Sequence, residues 1–285
     1  MSDPRPPFSV LILGFGAFGR MAARALAPYL PVAVCDPSAP AQAAAATLGL
    51  RVVAPADAGG FDVVLLAVPV PALGECLATL APHLRPGQVV VDVCSVKEGP
   101  AALMRALLPE PVEILASHPL FGPQSLPGSL SGGRIVICPL RGGRWRRIAA
   151  FLRRVLGLRV IVTTPEEHDR HAALTQGLTH LLARAMQDFQ PHPLIRTRSF
   201  DLLCEALDMV RSDAVEVYEA VTGANPHVAA LRERLLRSLG AEGSPVRVAA
   251  GGIGPSCDQP PSAISRVRAR SKASASGPSS ASRSA

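Results

Sequence analysis

The run Phe8-Ser-Val-Leu-Ile-Leu13, followed at once by Gly14-Phe-Gly-Ala-Phe-Gly19 and then Arg20-Met-Ala-Ala-Arg-Ala-Leu26, decides the fold. The first segment is apolar and long enough for a buried parallel strand. The last has helix-forming composition and stops near Pro28. Between them the glycines take the pattern G-x-G-x-x-G. The first permits a tight turn, the second lets backbone approach a pyrophosphate, and the third allows close packing of helix on strand. The helix N-terminus adds attraction for the phosphates. Gly14, Phe15, Gly16, Ala17, Phe18 and Gly19 are therefore the expected cofactor-binding turn. Pro31-Val-Ala-Val-Cys-Asp36 is a second strand ending in an acid. An acid there accepts hydrogen bonds from the ribose hydroxyls and repels a 2′-phosphate, so Asp36 favours NAD over NADP.

Outward from this unit, strands and helices alternate. Residues 39–48 form an alanine-rich helix stopped by Gly49. Residues 51–53 and 61–69 are strands, and the second brings Val68 and Pro69 over the cofactor. A helix over 73–84, a strand over 88–94, a helix over 99–108 and a strand over 112–117 follow. A strand over 134–138, a basic helix over 143–156 and a strand over 159–163 complete the series. This alternation specifies an α/β fold with a parallel, doubly wound sheet, an N-terminal Rossmann domain over residues 1–164. The pattern changes at Thr164-Pro-Glu-Glu-His-Asp-Arg-His171. Thr164 suits an N-cap, Pro165 the first turn, and Glu166 and Glu167 the helix dipole. Helices over 165–189, 200–221 and 227–239 make a smaller all-helical domain over 165–240. It is too small and too apolar to stand alone, which points to a homodimer through this domain. Residues 241–285 read as a disordered, basic, low-complexity tail.

Composition narrows the partners. The net charge is +7, but six positive and only two negative side chains lie in the tail, and aromatic residues are 4% of the chain. That distribution argues against a nucleic-acid partner. No apolar run reaches the roughly 18 residues that span a membrane. The first seven residues lack the apolar core of a secretory signal. The six cysteines, Cys35, Cys76, Cys94, Cys138, Cys204 and Cys257, are scattered and read as buried thiols of a reducing cytoplasm. The chain has two lysines, Lys97 and Lys272, so Lys97 is an isolated ammonium in an arginine-rich body. It lies two residues past Ser95, which makes it a candidate substrate contact.

Ligands of such sheets bind at the carboxyl ends of the strands. Ser95 follows Val91-Asp-Val-Cys94, and His118 ends the next strand. A histidine beside a nicotinamide is a natural general base for alcohol oxidation, and Ser95 can orient the same hydroxyl. Gln176 and His180, four apart on a predicted helix, form a polar stripe on an apolar segment, with Asp169 near the same face. The cluster His168-Asp-Arg-His171 lacks a third placed ligand and is not read as a metal site.

Together, Gly14–Gly19, Asp92-Val-Cys-Ser-Val-Lys97, His118-Pro-Leu-Phe-Gly122 and Glu167-His-Asp-Arg-His-Ala-Ala with Thr179-His180 resemble the prephenate/arogenate dehydrogenases of tyrosine biosynthesis. The resemblance covers about residues 8–240. It is closest to the arogenate-type branch, through Phe121-Gly-Pro123, Glu167-His-Asp169 and Asn225-Pro226. It implies an oxidative decarboxylation with hydride transfer to NAD(P). His118 then corresponds to the catalytic histidine, Ser95 to the serine between nicotinamide and hydroxyl, and His180 to a substrate-pocket histidine. Family members specific for prephenate carry an arginine near residues 207–211. Asp208 stands in that neighbourhood here and is a candidate partner for the ammonium of arogenate. The plant enzymes mostly use NADP, whereas Asp36 favours NAD. Two alternatives are a β-hydroxyacid-type dehydrogenase, disfavoured because no lysine occurs between Lys97 and Lys272, and a non-catalytic NAD-sensing protein, disfavoured by Ser95, His118 and His180 occurring together.

Overall fold

The computed structural model describes residues 8–122, 130–188, 193–211 and 213–240; the expected tail, Cys257 and Pro123 lie outside the described residues. Its centre is an eight-stranded sheet of order β3-β2-β1-β4-β5-β6-β7-β8. The strands are β1 (Val10–Leu13), β2 (Val32–Cys35), β3 (Arg51–Val52), β4 (Val63–Leu66), β5 (Val89–Asp92), β6 (Glu113–Pro119), β7 (Arg134–Arg141) and β8 (Arg159–Val162). Strand side chains alternate between faces, so each face needs its own cover. Leu11 and Leu13 enter one core with Leu73, Leu77, Leu80 and Met104. Val10 and Ile12 enter the other with Ala22, Ala23, Ala41, Ala45, Ile148 and Phe151. The first layer belongs to helices α3 (Leu73–Leu80) and α4 (Glu98–Leu107). The second belongs to α1 (Ala17–Leu26), α2 (Ala39–Thr47) and α5 (Trp145–Arg154). A sheet buried on both faces explains why its strands read as continuous apolar runs.

The order of the first six strands reverses between β1 and β4, which opens the crevice where this fold binds its ligand. The glycine turn sits there for steric reasons. Gly14 has φ +92°, and a Cβ on it would stand 2.4 Å from the Ala67 carbonyl oxygen. A Cβ on Gly19 would stand 2.1 Å from the Gly14 carbonyl oxygen, whereas one on Gly16 would meet nothing within 4 Å. Two substitutions should therefore separate. Gly19→Ala is expected to push α1 off the sheet and cost about 1–3 kcal/mol. Gly16→Ala should leave the melting temperature unchanged and weaken dinucleotide binding at least about tenfold, because the new methyl occupies the space a pyrophosphate needs. Thermal melts with fluorescence titration of cofactor check both; equal melting temperatures for the two variants would contradict the packing argument.

The sheet is not wholly parallel, as the alternation predicted. β6 pairs with β7 antiparallel, His118 opposite Val136, while β7 and β8 are parallel. A parallel pair needs a crossover, normally a helix. The linking sequence 120–133 is rich in Gly, Pro and Ser and carries no helical pattern for such a crossover.

Helices follow from Thr164, whose hydroxyl accepts the Glu167 N–H at 3.2 Å as the expected N-cap. The predicted 165–189 helix is interrupted: α6 (Pro165–Ala172), a π-helical turn (Ala173–Gly177) and α7 (Leu178–Ala185). The predicted 200–221 helix is broken into α8 (Arg198–Arg211) and α9 (Val215–Glu219), followed by a second π turn (Ala220–Ala224); α10 (Val228–Gly240) is last. The described residues up to Gly240 form one compact unit. The helical part is tied to the α/β part by Asp169, which accepts the backbone N–H groups of Lys97 and Glu98, and by His227, 2.8 Å from Glu98. Among the described residues, no helix is long and apolar enough to cross a membrane.

Candidate active site

The carboxyl ends of β1, β2, β4, β5 and β6 line up along the crevice. Gly16 caps α1 without a side-chain bond, and Gly16 and Ala17 are exposed, so the first N–H groups of α1 face outward. This turn fits a dinucleotide pyrophosphate. Phe15 plays a different part from its neighbours. Its ring is fully buried in the core, and its N–H donates to Asp36 at 2.6 Å, so it offers a ligand neither. The other Asp36 oxygen accepts the Ser38 N–H at 2.8 Å. Asp36 remains half-buried at the tip of β2, as a ribose-binding acid requires. Phe18 is half-buried behind the turn. Val68 lies beside Gly14, with Pro69 exposed at the crevice rim.

β5 ends at Asp92, paired with Ala116 of β6, and Ser95 follows in the loop before α4, half-buried. Burial pushes the Cys94 thiol up to about 12. His118 lies within β6, one turn of strand beyond Ala116, and is 5% exposed. Its Nδ1 is 2.9 Å from Nε2 of His168, and Nδ1 of His168 is 2.7 Å from Asp169. Burial foremost, then the neighbouring His168 and the Lys97 cation, hold the His118 pKa well below the ordinary imidazole value. His118 is thus a neutral imidazole at pH 7, able to accept a proton.

Lys97 does not meet a substrate. It is wholly buried, ion-paired with Asp92 and donating to the Ser117 carbonyl at 2.5 Å. Asp92 also accepts the N–H groups of Cys94 and Ser117 at 3.0 and 3.1 Å. The lysine is a strut between the ends of β5 and β6. Its compact ammonium and slim stem suit a fully enclosed site better than a planar guanidinium does.

Gln176 lies in the π turn and His180 in α7. The Gln176 Oε1 and His180 Nε2 atoms are buried without a hydrogen-bond partner. Buried polar atoms are normally satisfied, so two such atoms a turn apart mark a place for a ligand. His168 and His180 lie twelve residues apart on the same helical run, about 18 Å of rise before side chains shorten the gap. Beside His180 are Tyr218, in edge contact at 6.1 Å between centroids, and Asp213, whose carboxylate is 3.5 Å from Nε2 but not aligned as a hydrogen bond. Burial lowers the His180 pKa, opposed by Asp213, and raises that of Asp213, opposed by His180.

Asp208 is elsewhere. It is exposed on α8 and pairs with Arg211 at 2.6 Å one turn along, a surface ion pair. The acid that reaches the histidine is Asp213, freed by the break between α8 and α9. The predicted continuous helix hid it. His168 was visible only as one of a cluster of charged residues; its pairing with His118 has no local signal.

A glycine turn at a topological switch point, with a buried neutral histidine at a neighbouring strand end, defines a Rossmann-type nucleotide-binding protein with an adjoining helical part. Residues 22–164, half of the chain, match the family model described as prephenate dehydrogenase, nucleotide-binding domain. The chain belongs to that family. It is 31% identical over 238 residues to arogenate dehydrogenase 2, chloroplastic, of Arabidopsis thaliana, covering 79% of this chain and 66% of the relative. It is 30% identical over 250 residues to arogenate dehydrogenase 1, chloroplastic, of the same plant, covering 82% and 39% respectively. The chain thus spans less than two thirds of the length of either. The fold is shared with prephenate dehydrogenase from A. aeolicus, solved with hydroxyphenyl propionate and NAD+, at 22% identity, TM-score 0.68, covering 83% of this chain and 90% of that one.

Proposed function

We propose that the chain is an NAD-dependent dehydrogenase that oxidatively decarboxylates arogenate, or prephenate, in tyrosine biosynthesis. The observation that carries this is the neutral, buried His118 at the end of β6, in a member of this family, with the unpaired Gln176 and His180 atoms further along the helical run. The ring hydroxyl of such a substrate is para to its carboxylate-bearing carbon. A molecule polar at both ends suits a base at one end and polar side chains at the other.

A bound nicotinamide supplies the hydride acceptor, and Asp36 favours NAD. As hydride leaves C4, His118 accepts the hydroxyl proton and Ser95 orients that hydroxyl. The C1–carboxylate bond breaks, CO2 departs and the ring becomes aromatic. His118 then returns the proton to the phenolate oxygen. Holding the reacting atoms in register supplies much of the acceleration. Gln176 and His180 position the C1 end. Asp213, not Asp208, places negative charge there, which favours the ammonium of arogenate over the ketoacid of prephenate.

The test is NAD(P) reduction at 340 nm with each substrate and each cofactor. NAD with arogenate is the expected pair, and Asp213→Asn should shift the kcat/KM ratio toward prephenate by at least about tenfold, a loss of one charge-assisted contact. An unchanged ratio would remove Asp213 from specificity; no turnover with either substrate, together with measurable NAD binding, would favour a sensing role.

The helical part leaves Leu202, Leu203 and Met209 of α8 and Leu236 and Leu239 of α10 at 40–74% exposure. Apolar side chains gathered on so few helices fit pairing with a second copy. Sedimentation velocity should give about twice the 29.7 kDa chain mass; a monomer at micromolar concentration would count against it.

A further inference from the structure

We propose that His168 and Asp169 act as positioning residues that fix the tautomer of His118, so that the nitrogen facing away from His168 always carries the lone pair. The inference deepens the dehydrogenase reading above and rests on it only for its effect on turnover.

The argument begins at Asp169. Its carboxylate is wholly buried and accepts the backbone N–H groups of Lys97 at 2.7 Å and Glu98 at 2.9 Å, at the start of α4. Its own carbonyl accepts from the Asn225 amide at 2.9 Å. Two other segments of chain therefore hold this residue in place. An ionised carboxylate can only accept. Nδ1 of His168, 2.7 Å away, must then be the donor and carry the proton. Where His168 carries that one proton alone, its Nε2 is left as an acceptor. It lies 2.9 Å from Nδ1 of His118, which must in turn donate. A neutral His118 that carries its proton on Nδ1 has its lone pair on Nε2, on the opposite edge of the ring. The assignment holds for one proton on each imidazole, and the spectrum described below tests it.

This is the tautomer a proton acceptor needs. When the hydroxyl proton reaches Nε2, His118 holds both protons. Its Nδ1–H still donates to His168, and His168 still donates to Asp169. No proton has to travel along the chain, and the same proton is returned to the phenolate. Without His168, nothing described in the structure holds Nδ1 as a donor, and the ring is free to present Nε2–H, which cannot accept.

The experiment joins a spectrum with kinetics. Nitrogen-15 NMR of histidine-labelled protein without substrate, with His118 assigned from a His118→Asn sample, should show the Nδ1–H tautomer. His168→Leu should lose that signature and lower kcat on the order of 10²–10⁴-fold, the scale of a misplaced base tautomer, with KM and NAD affinity within about twofold of wild type. His168→Gln, whose amide oxygen can take over as acceptor, should recover at least tenfold of that loss. A wild-type spectrum showing Nε2–H on His118, or full kcat in His168→Leu, would overturn the inference. If His168→Leu does not fold, the wild-type spectrum and the glutamine variant still decide. A wild-type protein that turns over neither substrate, yet shows the Nδ1–H tautomer, supports the relay and removes the dehydrogenase reading instead.

Discussion

Replacing His118 with asparagine is expected to lower kcat about 10²–10⁴-fold, the usual contribution of a positioned general base. The binding of NAD should be unchanged, because the glycine turn and Asp36 belong to β1 and β2 and not to β6. Asparagine is close in size and stays polar, so the buried strand end keeps its packing. The same residue sets a pH limit. Burial, His168 and Lys97 all favour the neutral ring, so the folded pKa lies below 6.5. The base therefore stays active down through the pH at which an ordinary histidine would protonate. In a profile of kcat/KM, the acidic fall due to His118 should begin well below pH 6.5, and the His118→Asn variant should lack it. Protein stability follows the same sign. Above pH 6.5 the ring is neutral folded or unfolded; as pH falls below it the unfolded chain takes up a proton the folded one refuses, and stability declines. Steady-state rates from pH 5 to 9 check the first statement. An acidic limb centred at or above pH 6.5 and missing from the variant would contradict the assignment.

The second large effect is expected at Lys97→Met. Lys97 and Asp92 are both 0% exposed and form a buried ion pair. Removing the cation leaves a carboxylate enclosed in the core without a counter-charge, still accepting the backbone N–H groups of Cys94 and Ser117. Losing one partner of such a pair costs about 3–5 kcal/mol. A urea titration should show a clearly lower midpoint with an unchanged slope. Activity should fall as well, because the strut joins the residue before His118 to the strand that leads to Ser95. Lys97→Arg is not a rescue: a larger planar group in a filled site is expected to cost about 1–3 kcal/mol. A Lys97→Met midpoint equal to wild type would mean that the pair does not hold the two strand ends.

Much of the fold was legible because its signals are local. The apolar runs of β1, β4 and β5, the glycine sterics at Gly14 and Gly19, and the Thr164 cap each involve residues a few positions apart. The family motifs were legible for the same reason. Where the reading failed, a local pattern was ambiguous. The 165–189 segment looks like one helix, and the π turn at Ala173–Gly177 leaves no compositional mark. The 200–221 segment has helical periodicity across Ser212-Asp213, and only the folded chain shows that Asp213 leaves the helix to stand beside His180. Asp208 was the better candidate by position along the chain and the worse one in space.

By itself the sequence determined the Rossmann unit, the change to helices at Thr164, and the candidacy of Ser95, His118 and His180, since each rests on periodicity or on residues adjacent in the chain. Only the tertiary structure decided what surrounds those residues. His118 and His168 are 50 positions apart, and Lys97 and Asp169 are 72 apart. It also moved Lys97 from the cleft to the core. Contacts at that separation carry no local signal, because they are set by how the sheet and the helices pack, and packing reads the whole chain at once.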